Sequence, residues 1–179
     1  KLQCLMFTPV TCSLVALFWQ AFLHPRHIIR TKRPAEAFWI GLRLTLWIYF
    51  TLFVAKLSVP QAIGAYFLHQ FFGAAYIFTN FALSHSHLPV LDADKDIHWL
   101  EFASNHTINI TPHWFTNWWM GYLNYQIEHH LFPEMPQYRF VKLHTQTREL
   151  FQKLGLTYDC RDYFVACGDT YRNLYEVGN

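Results

Sequence analysis

The chain has 179 residues and a formal net charge of +2, with 53% hydrophobic and 19% aromatic residues, both high for a soluble globular domain. Its basic residues gather in one short stretch instead of spreading over a face, which excludes a nucleic-acid-binding surface. The four cysteines, Cys4, Cys12, Cys160 and Cys167, are too scattered for a disulfide framework, and the CxxC and HExxH patterns of familiar zinc sites are missing.

The mean hydropathy of +0.07 averages two unlike parts. Residues 1–83 hold seven Lys or Arg and one acid, Glu36, whereas residues 84–179 hold seven Lys or Arg and eleven acids. This asymmetry predicts a membrane part followed by a polar part. The first run, Leu2 to Leu23, is 22 residues without a formal charge, long enough to span hydrocarbon. His24 to Arg33 follows as a basic loop, which the positive-inside rule assigns to the cytosol. The second run, about 38–57, contains Arg43 and either spans or lies at the interface. Pro60 breaks the chain, and Gln61 to Leu83 is again uncharged. Two uncharged stretches of this length are too long for core helices of a soluble fold, so two to three apolar membrane helices are predicted within residues 1–83. His69 inside the third run reads as a neutral, hydrogen-bonded histidine.

Beyond residue 84 the chain turns polar. Asp92, Asp94 and Asp96, with Lys95 among them, make a solvated turn that lacks the glycine and the distant Glu of a calcium loop. Two sequons, at Asn105 and Asn109, offer a topology check. Trp114, Trp118 and Tyr122 recur every four residues, predicting an aromatic stripe on one helix. Such stripes are usually core or interfacial, but beside a metal site one could wall an acyl-chain tunnel. Phe140, Leu143, Leu150, Phe151 and Leu154 keep helical spacing, with Gly155 placed to stop the helix. Residues 158–179 carry no signal.

The chemistry concentrates in Gln126-Ile127-Glu128-His129-His130. On a helix, Gln126 lies three and four residues before the histidines, so the three side chains crowd one face. Imidazoles about 100° apart around a helix can address two closely spaced metal ions. Adjacent histidines alone are usually surface residues. After apolar spans, in a chain of eleven histidines, they become candidate ligands for non-haem iron.

The block from Gly121 to Pro136, GYLNYQIEHHLFPEMP, closely resembles the third histidine box of the front-end fatty acyl desaturases. Those are membrane enzymes with an N-terminal cytochrome b5 domain and two earlier boxes, HxxxH and HxxHH. Gln126 in place of the first His of the box is typical of that group. Trp114 to Trp118 resembles the aromatic run ahead of the box, and Asn80 to Pro89 the segment leaving the last membrane helix. The likeness covers most of residues 75–157.

The resemblance implies an all-α integral membrane protein. Membrane helices would fill residues 1–83, a cytosolic helical cap carrying the metal ligands residues 84–157, and a tail residues 158–179. It implies two iron ions ligated by His129 and His130, with Gln126 where other desaturases have a third ligand. His87 would be a further ligand just after the final span, and its neighbour His85 the fallback. Glu128 would orient an imidazole, and Trp114, Trp118 and Tyr122 would wall the substrate tunnel. His98, His106 and His113 fall where the resemblance gives no ligand.

The implied activity is an oxygen-dependent cis-desaturation of a polyunsaturated acyl chain, as acyl-CoA or acyl-lipid. Electrons would come from NADH through cytochrome b5 and its reductase, at the endoplasmic reticulum membrane, in a multi-pass protein with the metal site facing the cytosol. The HxxxH and HxxHH boxes do not occur in this sequence, so the chain is expected to be the C-terminal portion of a longer enzyme and inactive alone. The alternatives are a sphingolipid long-chain-base desaturase, an inactive membrane scaffold of the same fold, and a zinc hydrolase. With every box on the cytosolic side, an even number of crossings must precede the third. Either the first run does not cross or the second lies along the surface, and both sequons are expected to be unglycosylated.

Overall fold

The structure, a computed structural model, describes residues 2–90 and 96–178. Asp92, Asp94 and Lys95 of the acidic turn lie outside the described residues. Two compact units are present, Met6–Phe78 and Thr79–Asn179, the second also taking in Lys1–Leu5.

The first unit is helical. Helix α1 runs from Leu2 to Thr31 and α2 from Pro34 to Val54, followed by most of α3, Val59–Ala82. Both α1 and α2 are long and apolar enough to cross a membrane by length and composition, with only 6% of each apolar window buried. Helix α3 has 24 residues, but Gln61, His69, Gln70 and Asn80 dilute its hydropathy.

The basic stretch is not the loop its composition suggested. Helix α1 continues through it to Thr31, and Lys32 turns the chain with φ +52°. Pro25 would ordinarily break a helix, because it lacks an N–H and crowds the preceding turn. Here the preceding turns, Leu14–Leu23, are π-helical, and the His24 N–H donates to the Trp19 carbonyl five residues back. That widening accommodates the ring. Arg43 is partnered: its guanidinium donates to Gln20 Oε1 at 3.0 Å and to the Tyr66 hydroxyl at 3.2 Å. Gln20 in turn donates to Gln70 Oε1 at 2.7 Å. His69 lies against Trp47, ring centres 5.4 Å apart.

The second unit is built from short helices around two buried clusters. Helices α4 (Trp99–Asn105), α5 (Trp114–Trp119), α6 (Gln126–Leu131), α7 (Phe140–Lys153) and α8 (Tyr163–Val177) follow in order. The all-helical expectation needs one addition. Strands β1 (Asn109–Ile110) and β2 (Cys160–Arg161) form a two-residue parallel pair, Asn109 opposite Cys160 and Ile110 opposite Arg161. Leu83, Ile108, Ile110, Met120 and Ala166 form one core cluster, and Ala103, Ile127 and Phe151 the other. Full burial of a side chain such as Ile127 or Phe151 contributes about 1.5–3 kcal/mol. Residues 158–179 are therefore not a featureless tail. They supply β2, α8 and the buried Ala166, Thr170 and Leu174.

Helix α7 matches its expected span, but its inner face is Phe140, Thr147 and Phe151, while Leu150 and Leu154 are exposed. Gly155 ends it with φ +70°. The Leu156 N–H reaches back to the Phe151 carbonyl and the Gly155 N–H to the Gln152 carbonyl, a Schellman closure that a left-handed residue requires.

Candidate metal centre

Helix α6 presents the QxxHH sequence as expected. It starts after Tyr125, fully buried, and Ile127 and Glu128 on its inner side are also fully buried. The path into α6 explains why the aromatic stripe fails. Helix α5 stops at Trp119, and Gly121 and Tyr122 both take positive φ, +56° and +66°. A Tyr in the left-handed region carries strain, and the reversal it makes is fixed by Asn124, whose amide donates to Asn117 Oδ1 at 2.8 Å. Tyr122 thus leaves the helix that carries Trp114 and Trp118. Those two are 73% and 68% exposed. The neighbouring Phe115 and Trp119, with Tyr163 and Phe164, line a cavity of about 550 Å³.

Around α6 the histidines collect. Gln126 Nε2 lies 3.1 Å from His85 Nε2, and the other His85 nitrogen, Nδ1, donates to the His106 carbonyl at 3.4 Å. The His85 ring packs edge-on against His130 with centres 5.2 Å apart, and His130 is 5.9 Å from His129. Phe102 covers His130 from another side at 6.0 Å. His87 stands nearby, its Nδ1 3.3 Å from the Thr170 hydroxyl. Two ring nitrogens, His87 Nε2 and His129 Nδ1, are buried with no hydrogen-bond partner among the described residues.

Burial disfavours the charged form of His85, His87 and His130. His130 is pushed down to about 4, first by desolvation and then by the neighbouring His85 and His129 rings. Desolvation also lowers His85 and His87, with Arg161 adding to the shift at His87. Neutral imidazole is the form that offers a lone pair to a metal. The donor set thus suits an imidazole-preferring ion such as iron, but it is partial. Among the described residues no three His, Cys, Asp or Glu side chains come together as one metal-binding group.

The remaining expectations divide. His85, the fallback, is the histidine in contact with Gln126 and His130, while His87 is turned toward α8. Glu128 does not orient an imidazole. Its carboxylate accepts from Asn109 Nδ2 and from the Tyr158 hydroxyl, each at 2.7 Å, and Asn109 Oδ1 accepts the Ile127 N–H at 2.8 Å. Burial and the Glu128 charge hold the Tyr158 phenol protonated far above the usual tyrosine range. Glu128 therefore locks α6 to β1. Asn109, the second sequon's acceptor, has no room for a glycan in this fold. His98 and His113 cap α4 and α5 by accepting the N–H two residues on. His106 contributes its carbonyl to His85 and stacks on Phe102 at 5.0 Å. Sequence reasoning missed Asn109, Tyr158 and Thr170, whose partners lie 19, 30 and 83 residues away.

Comparison with known proteins bears on this arrangement. A sequence profile described as fatty acid desaturase matches residues 2–162. The chain is 48% identical over its full length to an acyl-lipid (8-3)-desaturase of Rebecca salina, and 44% identical to another of Thraustochytrium sp.. Half of it, 95 residues, is 36% identical to human fatty acid desaturase 3, covering 21% of that protein. The chain spans 41% of the length of the first two relatives. No solved structure matches it.

Proposed function

The chain belongs to the fatty acid desaturase family, and from that premise we propose that the complete protein is an oxygen-dependent, front-end acyl-lipid desaturase to whose diiron site this chain contributes. The observation that carries the proposal is the meeting of His85, His129, His130 and Gln126 in one half-buried cluster, with His87 close in the same segment as His85. Bound there, a reduced iron pair would activate O2 and supply the oxidant that removes hydrogen from adjacent methylenes, work beyond any side-chain acid or base. The chain's own part is placement. His129 and His130 offer nitrogens at different angles from one short helix, and His85 or His87 adds another from the segment after α3. The Gln126 amide holds the His85 ring through Nε2, so a metal would take that nitrogen only by displacing this contact. The ligands still needed are assigned to HxxxH and HxxHH boxes upstream, so this segment alone is inactive.

Acyl-lipid is favoured over acyl-CoA because the two relatives of Rebecca salina and Thraustochytrium sp. carry that description. Electrons are assigned to NADH by way of cytochrome b5 and its reductase. Helices α1 and α2, apolar and with only 6% of each apolar window buried, support insertion in a bilayer; the endoplasmic reticulum and a cytosol-facing metal site are assigned from the family resemblance.

The test is to express the complete enzyme in a host without the activity, feed polyunsaturated acids, and profile acyl chains and sphingoid bases. A new double bond on the carboxyl side of an existing one is expected, with His129→Ala and His130→Ala each lowering product at least about 100-fold at normal protein level. Desaturated sphingoid bases alone would reassign the substrate. Full activity in both variants would remove these histidines from the site.

A further inference from the structure

We propose that α8 belongs to the metal site, and that Thr170 and Asn173 are positioning residues holding the His85–His87 segment for ligation. This rests on the iron reading given above. Three residues apart, Thr170 and Asn173 sit on the same side of α8 and both reach that segment. The Asn173 amide donates to the Ser86 carbonyl at 2.6 Å, and the Thr170 hydroxyl meets His87 Nδ1 at 3.3 Å. Thr170 is 1% exposed. One turn earlier, the fully buried Ala166 packs in the same cluster as Leu83, at the start of the histidine segment. Arg161 fastens the base of the helix through Asp159 at 2.6 Å and Asp169 at 2.9 Å.

The consequence is specific to one ring. With Nδ1 engaged by Thr170, the nitrogen left over is Nε2, which is buried and lacks a partner among the described residues. Hydrogen bonding at one imidazole nitrogen sets which tautomer and orientation the other presents. A side chain lacking the hydroxyl would leave the ring free to turn.

The experiment uses the complete enzyme, with iron per chain measured after dialysis against a chelator, and melting temperature measured on metal-stripped protein. Thr170→Val keeps the shape and removes the hydroxyl, Thr170→Ser keeps the hydroxyl, and Asn173→Asp keeps the shape and removes the donor. Leu174→Ala, on the same helix, reports a purely structural loss. Thr170→Val and Asn173→Asp should each weaken iron retention at least about tenfold, while Thr170→Ser stays within about twofold of the parent. Leu174→Ala should lower the melting temperature and leave iron retention unchanged. Parental retention in Thr170→Val and Asn173→Asp overturns the proposal, as does equal iron loss in Leu174→Ala at a matched fall in melting temperature. If Thr170→Val does not accumulate, Asn173→Asp decides by the same criterion. An iron-free parent overturns the functional reading together with this one, whereas an iron-loaded parent with unaffected variants overturns this one alone.

Discussion

His129 and His130 are neighbours with different surroundings. His129 buries a nitrogen without a hydrogen-bond partner among the described residues and lies 6.4 Å from the Phe140 ring, whereas His130 faces His85 and Phe102. Their shared helix was legible because QxxHH spacing is local. The role of Glu128 was not, because its partners Asn109 and Tyr158 come from β1 and the segment before β2. A buried carboxylate held by two donors makes a testable contribution. Tyr158→Phe removes one donor to Glu128 and one acceptor for Asn109, and should lower the stability of the complete protein by about 1–3 kcal/mol, read from its denaturant midpoint. An unchanged midpoint would mean that water replaces the phenol without cost.

Helices with strong amphipathic spacing and a stop signal were readable. For α7 both the span and the Gly155 terminus follow from the sequence, though the inward face is shifted so that Leu150 and Leu154 are exposed. Phe151→Ala should cost about 3–5 kcal/mol by emptying the second core cluster. Gly155→Ala should cost about 1 kcal/mol, since φ +70° disfavours a Cβ. Equal losses would contradict this ranking in thermal melts. The aromatic stripe misled because spacing cannot reveal that Gly121 and Tyr122 reverse the chain. The basic segment misled because composition does not show a π-helical stretch absorbing Pro25. Helix α8 gave no signal, as its contacts with Ser86 and His87 span more than 80 residues.

Across the whole molecule, the charge balance changes at residue 83 and the unit boundary falls at Thr79. On the proposed topology, an even number of crossings precedes the histidine cluster, and the basic turn at Lys32–Arg33 faces the cytosol. A sequon engineered at that turn should stay unglycosylated in endoplasmic reticulum membranes, as should Asn105. Glycan at the turn would instead make α1 one of the two crossings, with α2 or α3 the other. Metal analysis of the purified complete protein reaches furthest. Two iron ions per chain are predicted in the parent, with loss of iron in His129→Ala and in His130→Ala while each variant remains folded. An iron-free parent, or full iron in both variants, would contradict the assignment of these histidines to a diiron centre.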